Sequence, residues 1–460
     1  MRHPLNSDPS PAKSKKLLII TSSGGGGLIQ AAVAKEQEEK ARDPNIEIIK
    51  RDVMKDWMHK RFGQYCVNRW NNAQLRGDVA AQRFCAWAQN YAEYLFWPNF
   101  FFCTLYTLFK YDVGRVIDTQ PIGTSAILLA IRIYNQRRNK EVRLEKVLVD
   151  LPTKLATHFF TPIKKLSRKN RSFLKLITVA PLLEEGQTSE EFWQTNCSLK
   201  EEEIAYEDVY VRQSFRKYQN LPRVEETMAL KIRYKNEEEL GLIKNAIART
   251  ALKPTFRPDE VEFLIPPKDK VITILLGSQP ANEATLNYVK KFLQIAKESE
   301  IKTKTHLFVF CADHLKEQKS SLFMKVSDYV AKLKEYPKHF SVIPFSFQND
   351  DVVAPLFFRS DLTCTRSGGQ TAMELMCVSR GEIWIHSEAK KKEGEELTLE
   401  ELLSGIPGWE AANASYLQKI RGAKISTPET FASEGRRLLR IDPAQMAQNP
   451  FFERTIESTA

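Results

Sequence analysis

Short apolar runs alternate with longer amphipathic stretches along most of this 460-residue chain. Runs of strand length bounded by glycine or proline turns, followed by helix-length patterns, are the mark of βαβ units and a parallel sheet. Lys16–Thr21 and Ile46–Ile49 read as strands on either side of a helix from Leu28 to Arg42. Residues 54–111 read as helical and strongly aromatic. Val113–Asp118 and Val147–Asp150 read as further strands, with a helix over Ile122–Tyr134 between them. Phe173–Ala180, Asp208–Arg212 and Met228–Arg233 are weaker strand patterns. Glu237–Ala251 is a charged helix. Leu252–Lys270 holds Pro254, Pro258, Pro266 and Pro267, which suits a segment between domains. The alternation then restarts. Strands are expected at Val271–Leu276, His306–Cys311, Val342–Phe345, Asp361–Thr365, Glu382–His386 and Ala423–Ile425. Helices are expected at Asn282–Ser299, Ser321–Glu335, Val352–Arg359, Gln370–Cys377 and Thr427–Leu439. Two successive doubly wound α/β units are the expected architecture.

Composition fits a globular chain, with 42% hydrophobic and 27% charged residues. The net charge of +11 suits an anionic partner, a membrane surface or a phosphorylated substrate. No nucleic-acid-binding signature accompanies it, so nucleic acid ranks last. Cys66, Cys85, Cys103, Cys197, Cys311, Cys364 and Cys377 form neither a CxxC nor a Cys/His cluster, which points to reduced thiols and no structural zinc. Leu17–Ile20 is too short for a secretory core, and no run reaches the length of a membrane span. A cytoplasmic protein with peripheral membrane association is expected.

The stretch from Val342 to Glu374 is the most informative. Asn349, Asp350 and Asp351 suit a helix start. After the strand Asp361–Thr365, Ser367-Gly368-Gly369 lets the backbone approach a ligand and opens a helix at Gln370. Such a helix start presents unpaired N–H groups and a positive dipole end, which suits phosphate. Glu374, one turn in, is placed to grip a ribose hydroxyl. A tight turn in an ordinary α/β sheet is the alternative.

This order of residues resembles the donor half of GT-B glycosyltransferases, in particular the lipid II N-acetylglucosaminyltransferases and the monogalactosyldiacylglycerol synthases. Their pattern is a strand, D-D-M/V…A-D, then S-R-S-G-x-x-T-x-x-E. Here Asp350-Asp351-Val352, Asp361 and Thr365 to Glu374 take the same places. The resemblance implies a GT-B fold, two Rossmann-like domains facing each other across a cleft. It implies a tail at 1–15, an acceptor-binding domain at 16–250, a linker at 251–269, a nucleotide-sugar domain at 270–440 and a tail at 441–460. It covers 270–440 well, 16–160 in patches and 160–265 hardly at all. Donor-binding residues by this likeness are Phe345, Arg366, Ser367, Gly368, Gly369, Gln370, Thr371 and Glu374. Gly277-Ser278-Gln279 resembles the start of the family's G-G-S-Q-G, with Pro280 departing from it. Glu410 and Asn413 resemble the Q/E-x-x-N-A segment that contacts sugar hydroxyls.

Ser23-Gly24-Gly25-Gly26-Gly27 resembles the D-T-G-G-G-H loop of the galactolipid synthases, with Gly27 where the family has its histidine. It is neither a dinucleotide fingerprint nor a P-loop. Candidate bases in place of that histidine are Asp118 and Asp150, at strand ends that face the ligand crevice in such sheets. His158 is a third, set against a plain structural or surface role. Tyr94–Phe109 carries aromatics on all sides, read either as an interfacial element for lipid or as a buried core helix. The long loop His386–Gly408 reads as a lid, a partner surface or a solvated charged loop. The expected activity is metal-independent transfer from a UDP-sugar to a membrane-lipid acceptor, with no cofactor. The alternatives are a GT-B-shaped protein that binds a nucleotide sugar without transferring it, and a sugar-nucleotide epimerase.

Overall fold

The computed structural model describes residues 16–58, 60–250, 252–298, 301–312, 321–390 and 396–440. Both expected tails, 1–15 and 441–460, and the centre of the loop after His386 lie outside the described residues.

The N-terminal sheet is six-stranded and parallel, built from β1 (Lys16–Thr21), β2 (Glu47–Asp52), β3 (Arg115–Asp118), β4 (Leu144–Val147), β5 (Leu174–Thr178) and β6 (Ile204–Tyr206) in the order β2-β1-β3-β4-β5-β6. Alternate side chains leave opposite faces of each strand, so Leu18 and Ile20 enter one core and Leu17 and Ile19 another. A three-stranded antiparallel sheet follows, of β7 (Met228–Arg233), β8 (Thr255–Arg257) and β9 (Glu260–Ile265). The second parallel sheet contains β10 (Lys270–Leu275), β11 (Thr305–Phe310), β12 (Phe340–Phe345), β13 (Leu362–Thr365), β14 (Glu382–His386) and β15 (Lys424–Ser426). Its order is β12-β11-β10-β13-β14-β15. Two six-stranded parallel sheets with flanking helices make the GT-B class of fold.

Three expectations change. Asp208–Arg212 is not a strand; the sixth strand lies just before it, at Ile204–Tyr206. The apolar Val209, Tyr210 and Val211 are buried in an irregular crossing to the second unit. That crossing continues through Phe215, whose ring meets Phe357 at 6.2 Å. The helix Glu237–Ile247 packs on β12 and on the helix Leu322–Ala331, both of the second unit, whereas Glu207 and Gln213 still bond the first unit at Thr178 and Gln37. The proline-rich 251–269 is no bare linker, since it supplies β8 and β9.

The helical region 54–111 resolves into a π-helical turn at Val53–Trp57 and three helices, Lys60–Leu75, Val79–Leu95 and Trp97–Tyr111. Asp78 starts the second of these by accepting from Ala81 N at 2.9 Å. The aromatic segment is one-sided. Phe100 and Leu108 are buried, while Phe102 and Tyr106 are each 63% exposed. Among the described residues no helix is long and apolar enough to cross a membrane.

Candidate active site

In a doubly wound sheet the ligand crevice lies beyond the carboxyl ends of the strands, where the strand order reverses. The first sheet reverses between β1 and β3, the second between β10 and β13. All four turns that follow these strands border one cavity of about 720 Å³. They are Ser22–Gly27, Gln120–Ile122, Gly277–Gln279 and Arg366–Thr371, with Ser367 excepted.

The glycine turns come very close across the cleft. A Cβ on Gly26 would stand 2.8 Å from Ser278 Oγ, and one on Gly27 would meet Gln370 Cβ at 3.7 Å. Gly369 lies against the end of the strand-like run Val147–Asp150, where a Cβ would press on Val149 O and come within 2.6 Å of Asp150 Oδ1. Its φ is not positive, so alanine costs nothing in backbone conformation there. Gly369→Ala is therefore expected to wedge the two units apart. Small-angle scattering should show a larger radius of gyration, with helix content by circular dichroism unchanged. An unchanged radius would mean that the cleft absorbs the methyl group.

Asp150 and His158 meet at this junction. His158 Nε2 lies 2.9 Å from Asp150 Oδ2, and Asn413 Nδ2 donates to Asp150 Oδ1 at 2.7 Å. Both carboxylate oxygens are thus engaged, and His158 is the more exposed of the pair. Its ring lies 4.7 Å from Phe159 and 6.0 Å from Trp409, and it lines the cavity. The pairing and the cavity wall set His158 at the crevice. Asp118 is different. It is fully buried, ion-paired to the buried Lys146 at 2.7 Å, and absent from the cavity wall. Burial pushes its carboxyl up and Lys146 opposes that shift. Asp118 braces the N-terminal sheet and is no base.

Among the expected donor residues, Gly277, Ser278, Gln279, Arg366, Gly368, Gly369, Gln370, Thr371, Glu374 and Glu410 border the cavity, as do Ser23, Gly24, Gly25, Gly26 and Gly27. Three do not. Ser367 is buried and its hydroxyl donates to Glu410 O at 2.6 Å. Asn413 accepts from Leu151 N at 2.6 Å and donates to Ser367 O at 2.8 Å, so it ties the units together. Phe345 is buried on the core side of β12, and Phe347, two residues on and 47% exposed, lines the cavity instead.

The charged groups are paired. Arg366 meets Glu410 at 2.9 Å and donates to Gln82 of the opposite unit at 2.8 Å. Glu374, expected on a ribose, holds Arg212 at 2.8 Å. Burial raises the Glu374 carboxyl, and Arg212 and Gln370 pull it the other way. Arg212 had no signal in the sequence, because it sits in the crossing that reads as a strand. It is a cation in the cavity wall, held by Glu374 of the helix that starts at Gly369.

The hairpin of helices Lys60–Leu75 and Val79–Leu95 straps one side of the cleft. Arg83 donates to Ser404 O at 2.6 Å, Trp70 meets Trp409 at 5.3 Å between centroids, and Gly77, at φ 64°, turns beside Glu388. Among the described residues no group of three or more His, Cys, Asp or Glu side chains is placed to hold a metal ion.

No family model matches the chain, and a search of curated proteins finds no match. Solved structures are similar over nearly the whole length. MurG from Acinetobacter baumannii shares 12% identity over 94% of this chain and 92% of its own, with a TM-score of 0.44. A UDP-N-acetylglucosamine 2-epimerase shares 12% over 95% of this chain and 92% of its own, with a TM-score of 0.44. OtsA in its apo form shares 11% over 94% of this chain and 93% of its own, with a TM-score of 0.43.

Proposed function

We propose that this chain is a glycosyltransferase that moves a sugar from a nucleotide diphosphate sugar, with uridine as the base, to a hydroxyl of a membrane-lipid acceptor. One observation carries the reading: the switch points of both sheets open on a single cavity, with the Asp150–His158 pair at their junction. The acceptor hydroxyl attacks the anomeric carbon as the carbon–oxygen bond to the diphosphate breaks. The hydroxyl proton goes to the His158 nitrogen that does not face Asp150. Asp150 holds the ring and balances the charge it gains. The departing nucleoside diphosphate carries away the electron pair. The N–H groups at Gly369–Thr371 and the Arg212 guanidinium meet its charge, so the reaction as proposed uses no divalent ion.

The exposed aromatics support a lipid acceptor. Phe84, Trp87, Tyr91 and Tyr94 recur at helical spacing on Val79–Leu95, and Tyr94 is 71% exposed. A stripe of this kind suits the membrane interface. The test is to incubate the protein with uridine- and guanosine-diphosphate sugars, with and without anionic vesicles, and to measure nucleoside diphosphate release with and without a chelator. Release from one donor that depends on lipid and survives chelation is expected. An altered nucleotide sugar without release would instead make the chain an epimerase. Donor binding without turnover would make it a binding protein. Absence of donor binding would sink the nucleotide-sugar reading.

A further inference from the structure

The cavity is larger than its polar end. It continues between the helices Lys60–Leu75 and Val79–Leu95, where Phe62, Cys66, Phe84, Cys85, Ala88 and Ala92 form its walls. Cys66, Cys85, Ala88 and Ala92 are small and only half-buried, so the space between the helices stays open. A nucleotide sugar has no use for such walls. Its hydroxyls and phosphates would lose water against these six side chains and find no partner among them, the polar lining of the two helices being Arg69, Asn71, Gln74 and Gln89.

The arm also has a mouth. Phe62, Tyr65 and Phe84 both line the cavity and stand exposed, Tyr65 by 60% and Phe84 by 58%. Trp87 continues this rim outward, packed on Phe84 at 5.7 Å and on Tyr91 at 4.7 Å. Arg69, exposed and also in the cavity wall, adds a cation at the same end. The apolar arm is thus continuous with an exposed aromatic surface bordered by positive charge. The occupant that fits is an unbranched hydrocarbon chain with a polar or anionic head, entering from a bilayer.

We propose that the arm between these two helices is a binding site for one acyl chain of the acceptor. This rests on the transferase reading and adds to it that the acceptor's tail leaves the bilayer and enters the protein. The acceptor hydroxyl then lies between the arm and the polar end, near His158. Chain length becomes a specificity feature. Each further methylene strengthens binding about fourfold until the arm is full.

The test uses the full chain and the single-chain fluorescent fatty acid cis-parinarate below its micellar concentration. Saturable binding of one probe per chain is expected. Alkylation of Cys66 and Cys85 by iodoacetamide, followed by mass spectrometry, should slow about tenfold at a probe concentration ten times its Kd. Burial raises both thiols, so the reaction is run in mild alkali. Cys103, half-buried on the next helix and outside the cavity wall, should react at an unchanged rate. Ala88→Trp, which fills the arm, should weaken the probe by about tenfold or more, with UDP binding unchanged by thermal shift.

Absence of saturable binding would overturn the proposal. So would binding that leaves Cys66 and Cys85 reacting at their free rate, since that places the probe on the outer aromatic stripe. The thiol measurement needs no variant, so a misfolded Ala88→Trp protein cannot decide the matter. Failure of UDP binding in the unmodified protein would sink the transferase reading and leave the chain site standing.

Discussion

Substituting His158 by alanine is expected to lower kcat by about 10²–10⁴, the range contributed by a positioned general base, with the Kd for the nucleotide sugar unchanged. His158 touches the cavity at the junction of its two ends, and Glu374 and Gln370, which face the donor end, are not among its partners. Asp150→Asn should act more mildly at first sight, since an amide can still hold the ring. It also faces the Asn413 amide, however, which now donates to the Asp150 carboxylate. An amide turned to accept from Asn413 would present its NH2 to His158, and the imidazole would then have to accept at that nitrogen and carry its proton on the other. The proton acceptor would be lost without loss of the ring. Asp150→Asn is therefore expected to fall close to His158→Ala in kcat, while Asn413→Ala, which frees one carboxylate oxygen and also breaks the bonds to Leu151 N and Ser367 O, should lower stability as well as turnover. Steady-state kinetics with a donor-binding measurement on each variant separates these outcomes. Full activity in His158→Ala would remove the pair from the chemistry and return it to a bracing role.

What was legible in the sequence follows from the range of the interactions involved. The strands at Lys16–Thr21, Lys270–Leu275 and Leu362–Thr365 are short apolar runs ended by glycine or by a change to polar residues, a signal carried within a few residues. The turn at Ser367–Gln370 was visible for the same reason. The crossing after Tyr206 was not. Val209, Tyr210 and Val211 are a β-branched and aromatic run of the kind strands favour, yet they are buried in a core shared by both units without joining the ladder of either sheet. Arg212 was missed with that segment. Asn413 shows the converse. Its spacing from Glu410 places both on one helical face, but that face meets the N-terminal unit, where the amide bonds the backbone at Leu151. Phe345 and Phe347 differ only by where β12 ends. Inside the strand the aromatic ring faces the core, and two residues later, past the last ladder partner, the chain turns it to the cavity.

Arg212→Ala is the second large effect, and it separates two jobs of one side chain. In the closed cleft Arg212 neutralises the buried Glu374, and its guanidinium lies 3.9 Å from Asp350. Removing one partner of such a pair leaves the other charge uncompensated, at a cost of about 3–5 kcal/mol in stability. The pressure of burial already raises the Glu374 carboxyl with Arg212 present, so without it the acid would take up a proton and recover part of that loss. The same substitution removes a cation from the cavity wall that, in the proposed reaction, meets the diphosphate. A hydrogen bond to a charged group contributes about 1.5–3 kcal/mol, so UDP should bind about 10- to 100-fold more weakly while uridine, which lacks the phosphates, binds as before. The double variant Arg212→Met with Glu374→Met should regain stability, since paired replacement by apolar groups of similar volume is often neutral. It should not regain UDP affinity. Denaturant unfolding followed on both variants, with UDP and uridine titrations alongside, reads the two jobs independently. Recovery of UDP binding in the double variant would show that Arg212 serves only to neutralise Glu374, and the diphosphate would then depend on the helix N-terminus alone.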